Sequence, residues 1–202
     1  MFKMSKEIII SLRQATGAGI VEIKKSLEEA GGDKTKAVEI LRKRGQAKAV
    51  KKQERETHDG IVHAYVHSND RVGVLVEVAC ETDFVARNED FKNFVHHVAM
   101  QVAAANPLYL KIEDIPEEVK EKELQLYREE MENAGKLKGK DEEMVKKILE
   151  GKLSKYYADA CLLEQVSIKD DNMTIREMVD EITAKTGEKI EIKRFVRYAI
   201  GE

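Results

Sequence analysis

In Gly60-Ile61-Val62-His63-Ala64-Tyr65-Val66-His67-Ser68-Asn69-Asp70-Arg71-Val72-Gly73-Val74-Leu75-Val76-Glu77-Val78-Ala79-Cys80 the hydrophobic period of the chain drops from the 3.6 of a helix to 2. Ile61 to Val66 reads as one strand. Ser68-Asn69-Asp70 reads as a turn, because short polar side chains bond the neighbouring backbone there. Val72, Val74, Val76, Val78 and Cys80 then alternate with Gly73, Leu75, Glu77 and Ala79. The pattern predicts a β-hairpin with a strong apolar face.

Downstream, Phe91, Phe94, Val95, Val98 and Val102 fall on one helical stripe, which should cover the hairpin. Asn88 is its expected cap, with Glu89 and Asp90 at the positive end of the helix dipole. From Pro107 to Glu164 the chain is charged and helical in character. One helix is expected from Pro116 to near Gly135 and another from about Asp141, interrupted at Gly151 and resuming through Tyr157. Residues 162–168 are too short to assign. Thr174-Ile175-Arg176-Glu177 forms a capping box before Ile175, Met178, Val179 and Ile182, and Gly187 ends that helix. Lys189 to Ile200 reads as a third strand, with Ile190, Ile192, Val196, Tyr198 and Ile200 at period 2. The expected fold of residues 58–202 is α+β, an antiparallel three-stranded sheet packed with helices.

Upstream, residues 1–45 read as three short helices. Lys6 to Ala15 is broken by Thr16-Gly17-Ala18-Gly19. Ile20 to Ala30 carries Ile20, Ile23, Leu27 and Ala30 on one stripe and closes at Gly31-Gly32. Asp33 caps the third, which carries Ala37, Ile40 and Leu41 and should stop near Gly45. So small a core needs good packing or a neighbour. Residues 46–57 are almost wholly polar and read as an exposed linker.

The 202 residues are 42% apolar and 36% charged, which suits one or two modules with a modest core. Residues 1–52 carry 13 Lys+Arg against 6 Asp+Glu, while residues 53–202 carry 22 against 32. The net −3 thus divides into a +7 head and a −10 body. No run approaches the roughly 20 apolar residues of a membrane span. The N-terminus has neither a secretory apolar core nor a transit-peptide composition. Cytoplasmic location is the expectation. Cys80 and Cys161 cannot build a disulfide framework or a four-thiolate zinc site.

No catalytic constellation emerges. His63 and His67 lie roughly 13 Å apart along a strand, and His96 and His97 point about 100° apart on a helix. Neither pair can share a metal, so solvent-facing or partner-facing histidines are expected. Cys80 and Cys161 read as small buried apolar residues. Phosphate-loop, nucleophile-elbow and His-Glu-x-x-His patterns are missing. The reading is a protein without catalytic residues, cofactor or metal. The basic head has no aromatic beyond Phe2, and its charges spread over three helices, so a solvated face is favoured over direct nucleic-acid binding. Three rivals remain: a generic interaction module built on the head, RNA binding through residues 42–55, and an enzyme with an unrecognised carboxylate site.

Glu77-Val78-Ala79-Cys80-Glu81-Thr82-Asp83-Phe84-Val85-Ala86-Arg87-Asn88 joins strand to helix. A connection should be polar, yet Phe84-Val85 sits in it. Phe84 either folds back as a hydrophobic staple or stands out as an apolar wedge. Spacing alone favours the staple.

The segment Thr82-Asp83-Phe84-Val85 resembles the second signature of the elongation factor Ts family. Leu12-Arg13-Gln14-Ala15-Thr16-Gly17-Ala18-Gly19-Ile20 with Lys24-Lys25-Ser26-Leu27 resembles the first. Further likeness runs through His67 to Val76 and Ala103-Ala104-Ala105-Asn106-Pro107. It covers essentially the whole chain. Ser26 departs from the family's Ala or Val, and Ala79 from its Asn or Val. The resemblance implies a guanine-nucleotide exchange factor for elongation factor Tu, the GTPase that carries aminoacyl-tRNA to the ribosome. It implies that the head is a ubiquitin-associated-like domain docking on the GTPase's nucleotide domain through Arg13, Ile20 and Val21. Thr82, Asp83, Phe84 and Val85 would form the tip that enters near the partner's nucleotide and Mg²⁺, and His67 would meet its C-terminal domain. With one hairpin unit the chain resembles the short form of the family, which works as a homodimer.

Overall fold

The computed structural model describes residues 5–202, so Phe2 lies outside the described residues. In chain order the elements are α1 (Lys6–Thr16), α2 (Ile20–Glu29), α3 (Lys34–Val50), β1 (Asp59–Val66), β2 (Val72–Cys80), α4 (Asp83–Ala86), α5 (Glu89–Ala105), α6 (Glu117–Asn133), α7 (Glu142–Ala160), α8 (Ile175–Thr186) and β3 (Glu191–Ala199). This is the expected α+β fold. The chain divides into two compact units, one of residues through Met100 with Arg176–Glu202, the other Gln101–Ile175.

In the first unit, Ser5 caps α1 by accepting from the Ile8 N–H, and Asp33 caps α3 by accepting from Thr35 and Lys36 N–H. Gly17 ends α1 at φ 66°, and a Cβ there would also lie 2.6 Å from Lys185 Cγ on α8. Glycine is therefore required twice over, by backbone and by packing. Leu12, Ile23, Leu27, Ala37 and Leu41 form the head's buried cluster, with Ile8, Ile9 and Val38 packed against it. The third helix runs through Gly45 to Val50 instead of stopping near Gly45. A Cβ on Gly45 would lie only 3.1 Å from Ala184 Cβ, so the small residue lets α3 approach α8 closely. That packing outweighs the helix cost of glycine, about 1 kcal/mol.

The sheet order is β1-β2-β3, antiparallel throughout. Val74, Val76, Val78 and Cys80 of β2 are buried. Asp70 turns the hairpin at φ 55°, its N–H donating to His67 O. The third strand departs from simple alternation. Glu77 pairs with Arg194 but Val78 pairs with Ile192, so Lys193 is bulged out and the face switches. Ile192 is buried while Val196 and Tyr198 point to the outer face, not to one shared core stripe. The registers Val62–Glu77–Arg194, Ala64–Leu75–Val196 and Val66–Gly73–Tyr198 place six apolar side chains on that outer face. Arg194 Nε donates to Glu77 Oε2 there at 2.6 Å. The inner face receives α5, whose Phe91, Phe94, Val95 and Val98 are buried as their spacing predicts.

The second unit holds α6 and α7, linked by the Lys152–Glu130 ion pair and by Lys152 over the Tyr127 ring. α7 is continuous through Gly151, correcting the expected interruption. One interior glycine costs about 1 kcal/mol, too little to break a 19-residue helix. Buried Gln101 ties this unit together, its Nε2 donating to Gln165 Oε1 and Val166 O, its Oε1 accepting from Ile168 N–H. Among the described residues no helix is long and apolar enough to cross a membrane.

Candidate partner-binding surface

The strand-to-helix connection is a one-turn helix, α4, where a plain loop was expected. Thr82, extended at φ −135° and ψ 158°, starts it, and Arg87 N–H closes it on Asp83 O. One turn fixes the side chains of Thr82-Asp83-Phe84-Val85 in opposite senses. Val85 and Ala86 are buried. Asp83 pairs with Arg87 at 2.9 Å. Phe84 is 81% exposed, more than any other large apolar side chain among the described residues. It does not fold back onto α5, so the staple geometry favoured by spacing is not adopted. Exposing a phenylalanine forfeits about 1.5–3 kcal/mol of burial. Val85 and Ala86 anchor the turn that holds it out.

The turn is held at its base by groups distant in sequence. Glu188, in the connection between α8 and β3, accepts from the N–H groups of Glu81 and Thr82 and from the Thr82 hydroxyl. The Glu81 carboxylate accepts from Lys189 N–H at 2.6 Å and from Arg55. Those bonds, the Lys189 N–H foremost, hold it below the usual carboxylate range against the opposing effect of burial. Behind the turn, Cys80 donates its thiol to Thr82 O at 3.2 Å. Burial, with Glu188 and Asp59 nearby, pushes that thiol up to about 11, so it is an inert core residue.

On the head, Ile20 and Val21 are exposed at the start of α2, and Arg13 is exposed near the end of α1. Two apolar side chains and one basic side chain are thus exposed on either side of the Gly17–Gly19 connection along the chain. Ser26, the departure from the family pattern, is fully buried, and its hydroxyl accepts from Arg44 Nη1 at 3.0 Å. Arg44 continues to Glu29 at 2.6 Å, so the polar substitution is satisfied.

His67 sits just past β1, exposed, its Nδ1 3.0 Å from the Tyr65 hydroxyl. His58 is exposed as expected, but His63, His96 and His97 are less exposed than expected. His97 is buried. His63 on β1 and His96 on α5 are half-buried, with Nε2 and Nδ1 2.9 Å apart, and the Tyr65 ring meets His96 edge-on. Spacing could not reveal this pairing, because its members are 33 residues apart. Among the described residues no three His, Cys, Asp or Glu side chains gather as a metal site.

Burial, then the neighbouring His96, lowers the His63 pKa below its ordinary 6.5. The unfolded chain therefore binds a proton there before the folded chain does. Stability from this site is full above about pH 6.5 and falls as pH drops from there toward the lowered folded value. Urea unfolding from pH 7.5 to 5 should show that slope, and His63→Gln should flatten it. An unchanged slope in the variant would remove His63 as its source.

A family model described as Elongation factor TS matches residues 18–202. A relative from Thermotoga petrophila named Elongation factor Ts is 53% identical over 200 residues, 99% of this chain and 98% of its own length. Relatives of the same name from Moorella thermoacetica and Thermosipho melanesiensis are 51% identical over 192 residues and 49% identical over 199. The first of these two alignments covers 95% of this chain and 93% of the relative, the second 98% and 100%.

Proposed function

The chain belongs to the elongation factor Ts family, and from that membership we propose that it promotes GDP release from elongation factor Tu in the cytoplasm. The observation that carries the mechanism is Phe84, 81% exposed on a turn whose next two residues are buried. A rigid base under an exposed aromatic is the arrangement of an interface anchor.

The head, a docking module whose third helix runs on to Val50, binds the nucleotide domain of the GTPase through Arg13, Ile20 and Val21. Thr82, Asp83, Phe84 and Val85 act as the tip, and His67 contacts the partner's C-terminal domain. No side chain of this protein makes or breaks a bond. GDP is held in its carrier by phosphate contacts and by a Mg²⁺ that demands near-octahedral oxygen geometry at about 2.1 Å. Phe84 enters beside that site and displaces the elements that shape it, so GDP leaves faster. Binding of the head and core offsets the strain. Linkage is reciprocal, so nucleotide weakens the factor's binding by the same ratio, and GTP rebinding releases it.

The outer sheet face supports a homodimer. Val62, Ala64, Val66, Leu75, Val196 and Tyr198 are exposed there, and contiguous apolar surface of this kind marks an interaction site. A second copy of the core, residues 58–202, would cover it.

The test mixes this protein with elongation factor Tu loaded with fluorescent GDP and follows release against unlabelled nucleotide. Acceleration that saturates with factor concentration is expected, and release at the spontaneous rate would refute the reading. Light scattering on the eluting free protein should give twice 23.0 kDa. A mass of one chain would refute the dimer alone.

A further inference from the structure

We propose that Glu188 is a positioning residue for exchange. Its carboxylate fixes the base of the Thr82–Val85 turn and thereby the direction in which Phe84 is presented. The inference rests on the exchange reading above and adds a residue outside both signature segments.

Glu188 follows Gly187, which ends α8 at φ 79°. Its Oε2 accepts from Glu81 N–H at 3.1 Å and Thr82 N–H at 3.0 Å, and its Oε1 accepts from the Thr82 hydroxyl at 2.6 Å. One carboxylate thus takes every donor that the two residues before α4 offer through N–H or hydroxyl. The link is returned in the other direction. Glu81 accepts from Lys189 N–H at 2.6 Å, and Lys189 Nζ donates to Gln53 O and Arg55 O at 2.8 and 3.0 Å. Neighbouring residues of two connections therefore grip each other, and the chain just after α3 is tied to the same point.

The turn needs this grip. α4 is four residues long, far below the length at which a helix holds itself. Thr82 makes no side-chain cap bond to α4, because its hydroxyl is committed to Glu188. Phe84 is too exposed to be oriented by packing. Its direction is set by Val85 and Ala86 on one side and by the Glu188 bonds on the other. Bonds to an ionised acceptor are the strong ones, and a wedge works only if its geometry exists before contact.

The experiment compares the wild type, Glu188→Ala, Glu188→Gln, Glu188→Asp, Phe84→Ala and the Phe84→Ala/Glu188→Ala pair. Fluorescent-GDP release from elongation factor Tu is measured over a range of factor concentrations, separating maximal rate from half-saturation. Amide hydrogen exchange over residues 81–87 is measured in each free protein. Glu188→Ala should speed exchange of the Glu81 and Thr82 amides at least tenfold. It should cut the maximal release rate about tenfold with less than threefold change in half-saturation. Glu188→Gln keeps one acceptor oxygen and should recover most of both. The double variant should be no slower than Phe84→Ala, because Glu188 acts through Phe84.

A wild-type maximal rate in Glu188→Ala, or the same fold-loss in the Phe84→Ala background as in the wild type, would overturn the proposal. If Glu188→Ala does not fold, Glu188→Asp decides, because its carboxylate is one methylene short of the Glu81 and Thr82 donors: a wild-type maximal rate together with wild-type exchange of the 81–82 amides overturns it, and loss in both supports it. If the wild-type protein does not accelerate GDP release, the exchange reading fails. The grip on the turn then stands or falls on hydrogen exchange alone, with unchanged 81–82 amides overturning it.

Discussion

Phe84→Ala slows GDP release from elongation factor Tu by about ten- to a hundredfold while the protein keeps its fold and thermal stability. The size follows from the chemistry of interface anchors. Truncating a central aromatic costs about 2 kcal/mol or more of interaction, and each 1.4 kcal/mol is a factor of ten. The silence in stability follows from exposure. At 81% exposed the ring contributes almost nothing to this chain's own core, and surface substitutions stay within about 0.5 kcal/mol. The loss should fall on the maximal rate more than on half-saturation, because the substitution leaves the proposed docking contacts of the head and His67 in place. Stopped-flow release and a melting curve on the same sample check both halves. Wild-type release in the variant would sink the wedge.

Phe91→Ala produces the opposite signature. This phenylalanine stands seven residues along the chain, in the first turns of α5, and is fully buried. Removing its ring loses transfer free energy and leaves a cavity, about 3–5 kcal/mol together. That is a large share of the roughly 5–15 kcal/mol that holds a domain folded. The urea midpoint should drop by about 1 M or more with little change in slope. Whatever fraction remains folded at 25 °C should release GDP at the wild-type rate per folded molecule, because Phe91 does not reach the surface. A loss of specific activity in fully folded Phe91→Ala would show that the core behind the turn sets the tip as well.

The contrast between these two rings marks how far the sequence could be read. Phe91 belongs to a stripe with Phe94, Val95 and Val98, and the 3.6 period that identifies a helix also identifies its buried face. Phe84 has no such stripe. Its place between strand and helix allows a staple or a wedge, and the choice depends on whether a neighbour offers a pocket. α4 turns Val85 and Ala86 inward instead, and Phe84 is left outside. Likewise the third strand is legible from Ile190 and Ile192, but the bulge at Lys193 is a two-strand event. It follows from pairing with Glu77 and Val78 and reverses the faces of Val196 and Tyr198.

The amino-acid sequence by itself determined the elements other than α4, and their order: three short helices, an alternating hairpin, an apolar helix behind it, a charged helical stretch and a late strand. It also carried the two signatures that place the chain in its family. These properties are local, because period, capping and turn chemistry act over a few residues. Tertiary structure decided the rest. It brought Glu188 to Thr82 across 106 residues, paired His63 with His96, carried α3 past Gly45 by setting it against Ala184, and held Phe84 out into solvent. Each of these depends on which segments the sheet and its helices bring together. A hydrogen bond or a close contact between distant residues has no period along the chain, so it becomes visible only when the chain is folded.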